Sequence, residues 1–253
     1  MTGPAPRRTV QSVERVFALL ELIMDLDRTV SLSELASSTS LPLPSIHRLL
    51  RALVPMGYIK QLPNHRYMLG PGLIRIGATA SKQLSALAQP WLTELADRLG
   101  ETSSLALLDG DMVLYVAQAP SVQTMRMFTD VGHRVHAHDS GVGKAILAQL
   151  SDDAVRRIVA RAGMPTPTER SIGKIEALIS DLETIRIRGY SIDDGEQYVG
   201  VRCLAVAVPG AATPTAISVS GPTARVDDSF TQGAVPILHE AARSIGESLE
   251  EAS

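Results

Sequence analysis

Residues 31–53, SLSELASSTSLPLPSIHRLLRAL, constrain this chain more than any other stretch. Ser31 and Glu34 form the S-x-x-E capping box, in which each residue satisfies an unpaired amide of the other. A helix is therefore predicted to start at Ser31. Thr39, Ser40 and Pro42 break it in a polar turn. Pro44 suits the first turn of a second helix, where no amide hydrogen is needed. Ile46, Leu49, Leu50 and Leu53 then recur at helical spacing on one buried stripe. The opposite face carries Pro44, Arg48 and Arg51, flanked by Ser45 and His47. A second helix packed inward and basic outward is a helix-turn-helix, its outer face free to enter a major groove. The same pattern also describes an amphipathic helix with a solvated basic face, so the flanks have to decide.

Upstream, Val13, Val16, Phe17, Leu20, Ile23 and Met24 predict an amphipathic helix of about four turns. Downstream, Gly57 stops the second helix, and 58–62 and 66–69 read as short strands around the turn residues Pro63, Asn64 and His65. Three helices and a hairpin make a winged helix-turn-helix, with Lys60, His65 and Arg66 on or beside the wing near phosphates. A solvated hairpin tip accounts for those three residues equally well. Charge follows the same division. Residues 1–75 hold nine Lys and Arg against five Asp and Glu, while the remainder holds 15 against 22. A basic N-terminal segment on an acidic body suits a DNA-binding module attached to something else.

Pro71-Gly72 opens a further helix in which Leu73, Gly77, Ala80, Leu84 and Leu87 form a heptad-spaced seam. It fits either a linker helix pairing across a dimer or a helix lying on its own domain. The domains are thus expected at 1–70, 71–89 and 90–253. From Pro90 onward, helices are predicted at 90–99, 142–150, 152–161, 174–188 and 227–251. Strands are predicted at 103–108, 112–119, 124–128, 134–137, 204–208 and 215–220. This order gives an α+β domain with an antiparallel sheet. With 253 residues, 45% of them hydrophobic, the chain can bury a large core. One cysteine excludes a disulfide framework and fits a reducing cytoplasm. The longest uncharged run, 203–224, is broken by Pro209, Gly210, Pro214 and Gly221, so no membrane partner is expected.

Three segments resemble the DNA-binding part of the isocitrate-lyase-regulator (IclR) family of bacterial transcription factors: VQSVERVFALLELI at 10–23, LPLPSIHRLLRALVPMGYI at 41–59 and YMLGPGLIRIG at 67–77. HDSGVGKAILAQL at 138–150, RGYSIDDGEQYVGVRCLAVAV at 188–208 and AISVSGP at 216–222 resemble its effector-binding part. The resemblance implies a winged helix-turn-helix, a linker helix and a GAF-like effector domain. It also implies dimers, or dimers of dimers, on double-stranded operator DNA, released or engaged by a small organic metabolite. Repression is the commoner sign of regulation in the family. Two positions depart from its pattern: Gly195 stands where an acid is usual, and Leu43 where a basic residue is common.

The effector residues implied by the resemblance are Thr124, Met127, Gly141, Val142, Asp193, Cys203, Ser218 and Ser220. Residues 139–144 precede a helix, whose first amides favour an anion. They are not a phosphate loop, because His138 and Ala145 stand where Gly and Ser or Thr are required. Ser218 and Ser220 alternate on a strand and share a face. Amides at one end and Asp193, an acceptor when ionised, at the other imply a small monocarboxylate that also carries a donor, such as glyoxylate hydrate or a ureide. Cys203 reads as a small buried hydrophobe rather than a nucleophile. His133, His136 and His138 form H-x-x-H-x-H, of which two could share a strand face, short of a tetrahedral metal set. No cofactor motif is present, and an enzyme with an accessory N-terminal domain would need a catalytic spacing that the chain lacks.

Overall fold

The computed structural model describes residues 10–126 and 130–251. Met127 and the end of the strand expected at 124–128 lie outside the described residues. The chain divides into two compact units, Met1–Ala80 and Ser81–Ser253.

The first unit contains α1 (Gln11–Asp25), α2 (Leu32–Ser38), α3 (Leu43–Leu53), β1 (Ile59–Gln61) and β2 (Tyr67–Leu69). The capping box forms as the spacing predicts: the Glu34 amide donates to Ser31 Oγ at 3.2 Å and the Ser31 amide to Glu34 Oε2 at 2.7 Å. Ile46, Leu50 and Leu53 of α3 join Leu19, Leu20, Ile23, Val30, Leu35, Ile59 and Tyr67 in one core. β1 and β2 pair antiparallel, and Val30 bridges Tyr67 through two backbone bonds, so the hairpin is stitched to the residue before the cap. His65 takes the left-handed conformation at the hairpin tip, φ 60°.

Helix α1 departs from the expected stripe. Leu19, Leu20 and Ile23 are buried, whereas Val13, Phe17 and Met24 stay exposed. Periodicity identifies an apolar face but not which part of its width meets the core. Val13 and Phe17 instead line an apolar groove of about 400 Å³ with Val16, Leu49, Leu53 and Met56.

α4 (Gly72–Ser85) crosses the division between the units, and none of its residues is buried. It stops short of the expected 89, leaving Leu87 in a turn before α5 (Gln89–Leu99). Pro90, in the first turn of α5, has no amide hydrogen with which to continue α4.

The second unit continues with β3 (Thr102–Asp109), β4 (Met112–Ala119), β5 (Arg134–Val135), α6 (Gly141–Leu147), α7 (Asp152–Ala162), α8 (Ile175–Arg188), β6 (Ser191–Asp194), β7 (Val201–Ala207), β8 (Thr215–Pro222) and α9 (Asp228–Glu251). Its six-stranded sheet runs β5-β4-β3-β8-β7-β6, antiparallel at every pair. Leu105, Leu204, Val206, Ile217 and Val219 pack on one face with residues of α5 and α9. Ala106, Tyr115, Ala205 and Ala216 face α6, α7 and α8 on the other. β6 was not among the expected strands: it is a short sheet edge ending in two acids, which propensity disfavours. Residues 122–125 form a bend instead of a strand, and β5 stops at Val135.

Because the Ser31 cap joins α2 to the residue bridged to the wing, Ser31→Ala is expected to destabilise the protein by about 1 kcal/mol. A denaturation midpoint indistinguishable from the parent would show that the cap carries no net stability.

Candidate functional site

The outer face of α3 exposes Pro44, His47, Arg48 and Arg51, with Ser45 half-buried beside them. Neither Arg48 nor Arg51 has an ion-pair partner among the described residues. Both guanidinium groups sit above a helix face whose opposite side is anchored by Ile46, Leu50 and Leu53. On the hairpin, Lys60 and His65 are exposed. Arg66, expected near phosphates, turns inward. Its Nη2 donates to Thr29 O at 2.6 Å and to Glu34 Oε2 at 2.9 Å, and its Nε donates to Thr29 Oγ1 at 3.1 Å. Arg28 also reaches Glu34, at 2.6 Å. Bonds from Ser31 and Arg28, with the charge of Arg66, hold the Glu34 carboxyl down at about 2. Arg66 is therefore a tie between wing and cap, a contact that Arg and Glu 32 residues apart in sequence do not announce.

In the second unit, strand register assembles the other site. Antiparallel partners project from the same face of a sheet. One row across the α6–α8 side is Thr102, Ser220, Cys203 and Asp193. The next is Gln118, Ser104, Ser218, Ala205 and Ser191. Helix α6 lies on this face, capped by Ser140, whose Oγ accepts from the Gly143 amide. Ser191 Oγ donates to Gly141 O at 2.6 Å. A Cβ on Gly141 would stand 2.8 Å from Cys203 Sγ, so only glycine allows α6 to seat this closely on β7. Gly141, Val142, Asp193, Cys203, Ser218 and Ser220 are thus brought together. Thr124 lies exposed in the bend after β4, and Met127 lies outside the described residues.

Beneath this face is a buried charge cluster that the sequence did not single out. Lys144 is 1% exposed, its Nζ 2.5 Å from Glu196 Oε1 and 3.0 Å from Asp181 Oδ2. Asp193 Oδ1 accepts from the amides of Glu196 at 2.7 Å and Gln197 at 3.4 Å. Thr168 and Ser171 hydroxyls bond the carbonyls of Gly195 and Glu196 and hold that loop. Asp139 is buried just before α6, and its Oδ1 has no hydrogen-bond partner among the described residues. The only hint in the sequence was Lys144 on a helix that otherwise reads as wholly apolar. A cleft of about 940 Å³ lies along 166–170 and the 194–200 loop and contains none of the expected effector residues.

The family model described as "Bacterial transcriptional regulator IclR C-terminal" matches residues 76–247, and the "IclR helix-turn-helix domain" matches 12–63. The chain is 34% identical to the Transcriptional repressor IclR of Escherichia coli (strain K12), over 95% of this chain and 90% of that protein. It belongs to the IclR family. Among solved structures, it superposes on an IclR transcriptional regulator from Alicyclobacillus acidocaldarius with a TM-score of 0.81 at 27% identity, covering 95% of this chain and 99% of that one. An IclR homolog complexed with 4-hydroxybenzoate, from Microbacterium hydrocarbonoxydans, matches with a TM-score of 0.76 at 23% identity, over 96% and 100% of the two chains. The protein is accordingly a DNA-binding transcriptional regulator. Among the described residues, no helix is long and apolar enough to cross a membrane.

Within this IclR-family fold, the remaining polar candidates take structural places. His138 is buried with Nε2 2.8 Å from Pro165 O, its ring edge-on to His136 at 5.6 Å, and His133 is exposed. β5 ends before His136, so the expected shared strand face does not form. No set of three metal-ligating residues occurs among the described residues. Burial, then the charge of Asp193, pushes the Cys203 thiol up to about 12, far from a thiolate nucleophile. Burial pushes Asp193 up to about 7, assisted by the Glu196 carboxylate and opposed by the Glu196 amide and Lys144. Burial likewise raises Glu196 and Asp139.

The Asp193 shift has a defined sign. Between its ordinary 3.8 and about 7, the folded chain keeps a proton that the unfolded chain releases. Stability from this group therefore falls as pH rises through that window and stays low above it. Asp193→Asn, which retains an acceptor for the Glu196 amide, is expected to stabilise the protein at pH 8. The ceiling is about 4 kcal/mol, with a much smaller gain near pH 4. Urea denaturation at the two pH values measures this, and an equal effect at both would show that Asp193 carries no buried charge.

Proposed function

We propose that this IclR-family regulator represses transcription by placing α3 in the major groove of a two-half-site operator. Pro44, Ser45, His47, Arg48 and Arg51 face the bases and adjoining phosphates, with Lys60 and His65 on the wing. The carrying observation is the outer face of α3: two arginines, exposed and without acidic partners among the described residues, on a helix anchored by three buried residues. The repressor identity of the Escherichia coli relative supports the sign of regulation. Such a protein works in the bacterial cytoplasm, where its operator lies. Replacing a base-reading arginine is expected to cost about 1–3 kcal/mol and relax specificity, whereas losing a phosphate contact weakens all sequences alike and flattens the salt slope. Gel shifts with Arg48→Ala and Arg51→Ala across salt separate the two roles. Parental binding by both variants would remove α3 from the groove.

The operator-binding form is a dimer or a dimer of dimers built through α4. Gly77, Ala80 and Leu84 of the heptad seam, in line with the half-buried Leu73, are exposed on one face of a helix that buries nothing, which leaves a stripe of apolar and small residues for a second copy. Leu84→Glu is expected to shift sedimentation toward smaller species and to weaken binding to paired half-sites. An unchanged mass distribution would reject α4 as the interface.

The controlling effector is a small monocarboxylate or ureide bound on the polar face of the second unit, at Gly141, Val142, Asp193, Cys203, Ser218 and Ser220, with Thr124 and Met127 from the segment after β4. The first amides of α6 favour its carboxylate. Asp193, poised near neutrality, accepts from a hydroxyl or amide when ionised and donates when protonated. The 4-hydroxybenzoate complex of the Microbacterium homolog supports an acid that also bears a hydroxyl.

A further inference from the structure

We propose that Gln118, on β4, sets effector length: it takes a neutral hydrogen-bond acceptor at the end of the ligand remote from Asp193. This rests on the carboxylate-effector reading above and extends it by two strands. The register carries the argument. Gln118 pairs with Ser104, and Ser104 pairs with Ser218, so all three side chains project from the sheet face that bears Ser220, Cys203 and Asp193. The bulge between Leu105 and Ala106 lies beyond this row and does not reverse it. The alternation is visible in the packing: Leu105 and Ala117, one residue along, belong to the opposite face. The polar grid therefore continues past the serines to β4.

Gln118 itself is incompletely satisfied. Its backbone carbonyl accepts from Gln89 Nε2 at 3.2 Å, which fixes the strand. Its side-chain Nε2 is buried and has no hydrogen-bond partner among the described residues. Buried amide donors are nearly always paired, so one that is not points to a group that arrives from outside. The donor is uncharged and needs an acceptor. On the proposed reading the effector has one carboxylate, which the first amides of α6 take, so the acceptor left for Gln118 is a neutral oxygen. Two strand spacings, roughly 10 Å, separate Gln118 from Ser218. After allowing for the reach of the glutamine, the ligand must place its acceptor about four or five bonds from its carboxylate. A keto, amide or ether oxygen on a five- or six-carbon acid meets this, and a two-carbon acid does not.

The test uses the full chain and two probes that differ in one oxygen, 2-hydroxy-5-oxohexanoate and 2-hydroxyhexanoate, each bearing a hydroxyl for Asp193, titrated by calorimetry. The parent is expected to bind the keto acid at least tenfold more tightly. Gln118→Met keeps the length of the side chain and removes the donor. It should bring that ratio to about one. Without ligand, the same variant should melt a few degrees higher, because an unpartnered buried donor has been removed. Gln118→Glu, carrying acceptors in place of the donor, should lose the keto acid selectively. If both acids bind but the ratio is near one in the parent, or survives in Gln118→Met, the assignment of Gln118 falls and the carboxylate reading stands. If neither acid binds, the carboxylate reading falls and takes this proposal with it.

Discussion

The Lys144 ammonium is the constraint on which the effector-binding unit depends. It sits on the inward side of α6, 1% exposed, in a helix whose seven residues are all buried. An ion taken this far from water carries a penalty of several kcal/mol unless it is paired. Glu196 and Asp181 pair it, and they come from the loop after β6 and from α8. One charge therefore requires three separate parts of the chain to meet. The loop that supplies Glu196 also supplies the amide that Asp193 accepts, so the position of Asp193 follows from the same pairing. Two further carboxylates, Asp139 and Asp193, are buried nearby, and burial holds both of them and Glu196 above the ordinary carboxylate range.

Close approach of backbone completes that arrangement. Gly141 lets α6 rest against Cys203, and Ser191 bonds the Gly141 carbonyl. Gly143 is packed as tightly, since a Cβ there would meet the Ala137 backbone at 2.4 Å. These contacts bring the start of α6 onto the polar rows of the sheet. An effector bound there, as proposed, would touch elements that Lys144 already couples to one another, so its differential contacts could be felt across the unit.

The DNA-binding unit is organised on a shorter scale. Ser31 and Glu34 close the start of α2, and Glu34 also receives Arg28 and Arg66. Val30, one residue before the cap, bridges Tyr67 of the wing. Cap, turn and hairpin thus share one cluster of bonds. The outer face of α3 remains exposed because its inner face is fully used by Ile46, Leu50 and Leu53. The proposed base reading by α3 would require such rigid placement, because a bidentate contact depends on geometry.

Local features were legible in the sequence because their physics is local. The capping box, the buried stripe of α3, the hairpin turn at 63–65 and the stops at Gly57, Gly100 and Gly189 depend on residues a few positions apart. The resemblance to the IclR family added the residues around the polar face, which spacing alone left as serines on a strand and a capped helix. What only the tertiary structure decided involves partners distant in sequence. Arg66 turns to Glu34 instead of outward, Lys144 is charged inside a core, and the apolar width of α1 is divided between a core and an open groove. The edge strand β6 forms because β7 pairs with it, despite its two acids. In each case the deciding term is the desolvation of a polar group or the burial of an apolar one. That depends on which elements meet, and no window of neighbouring residues contains it.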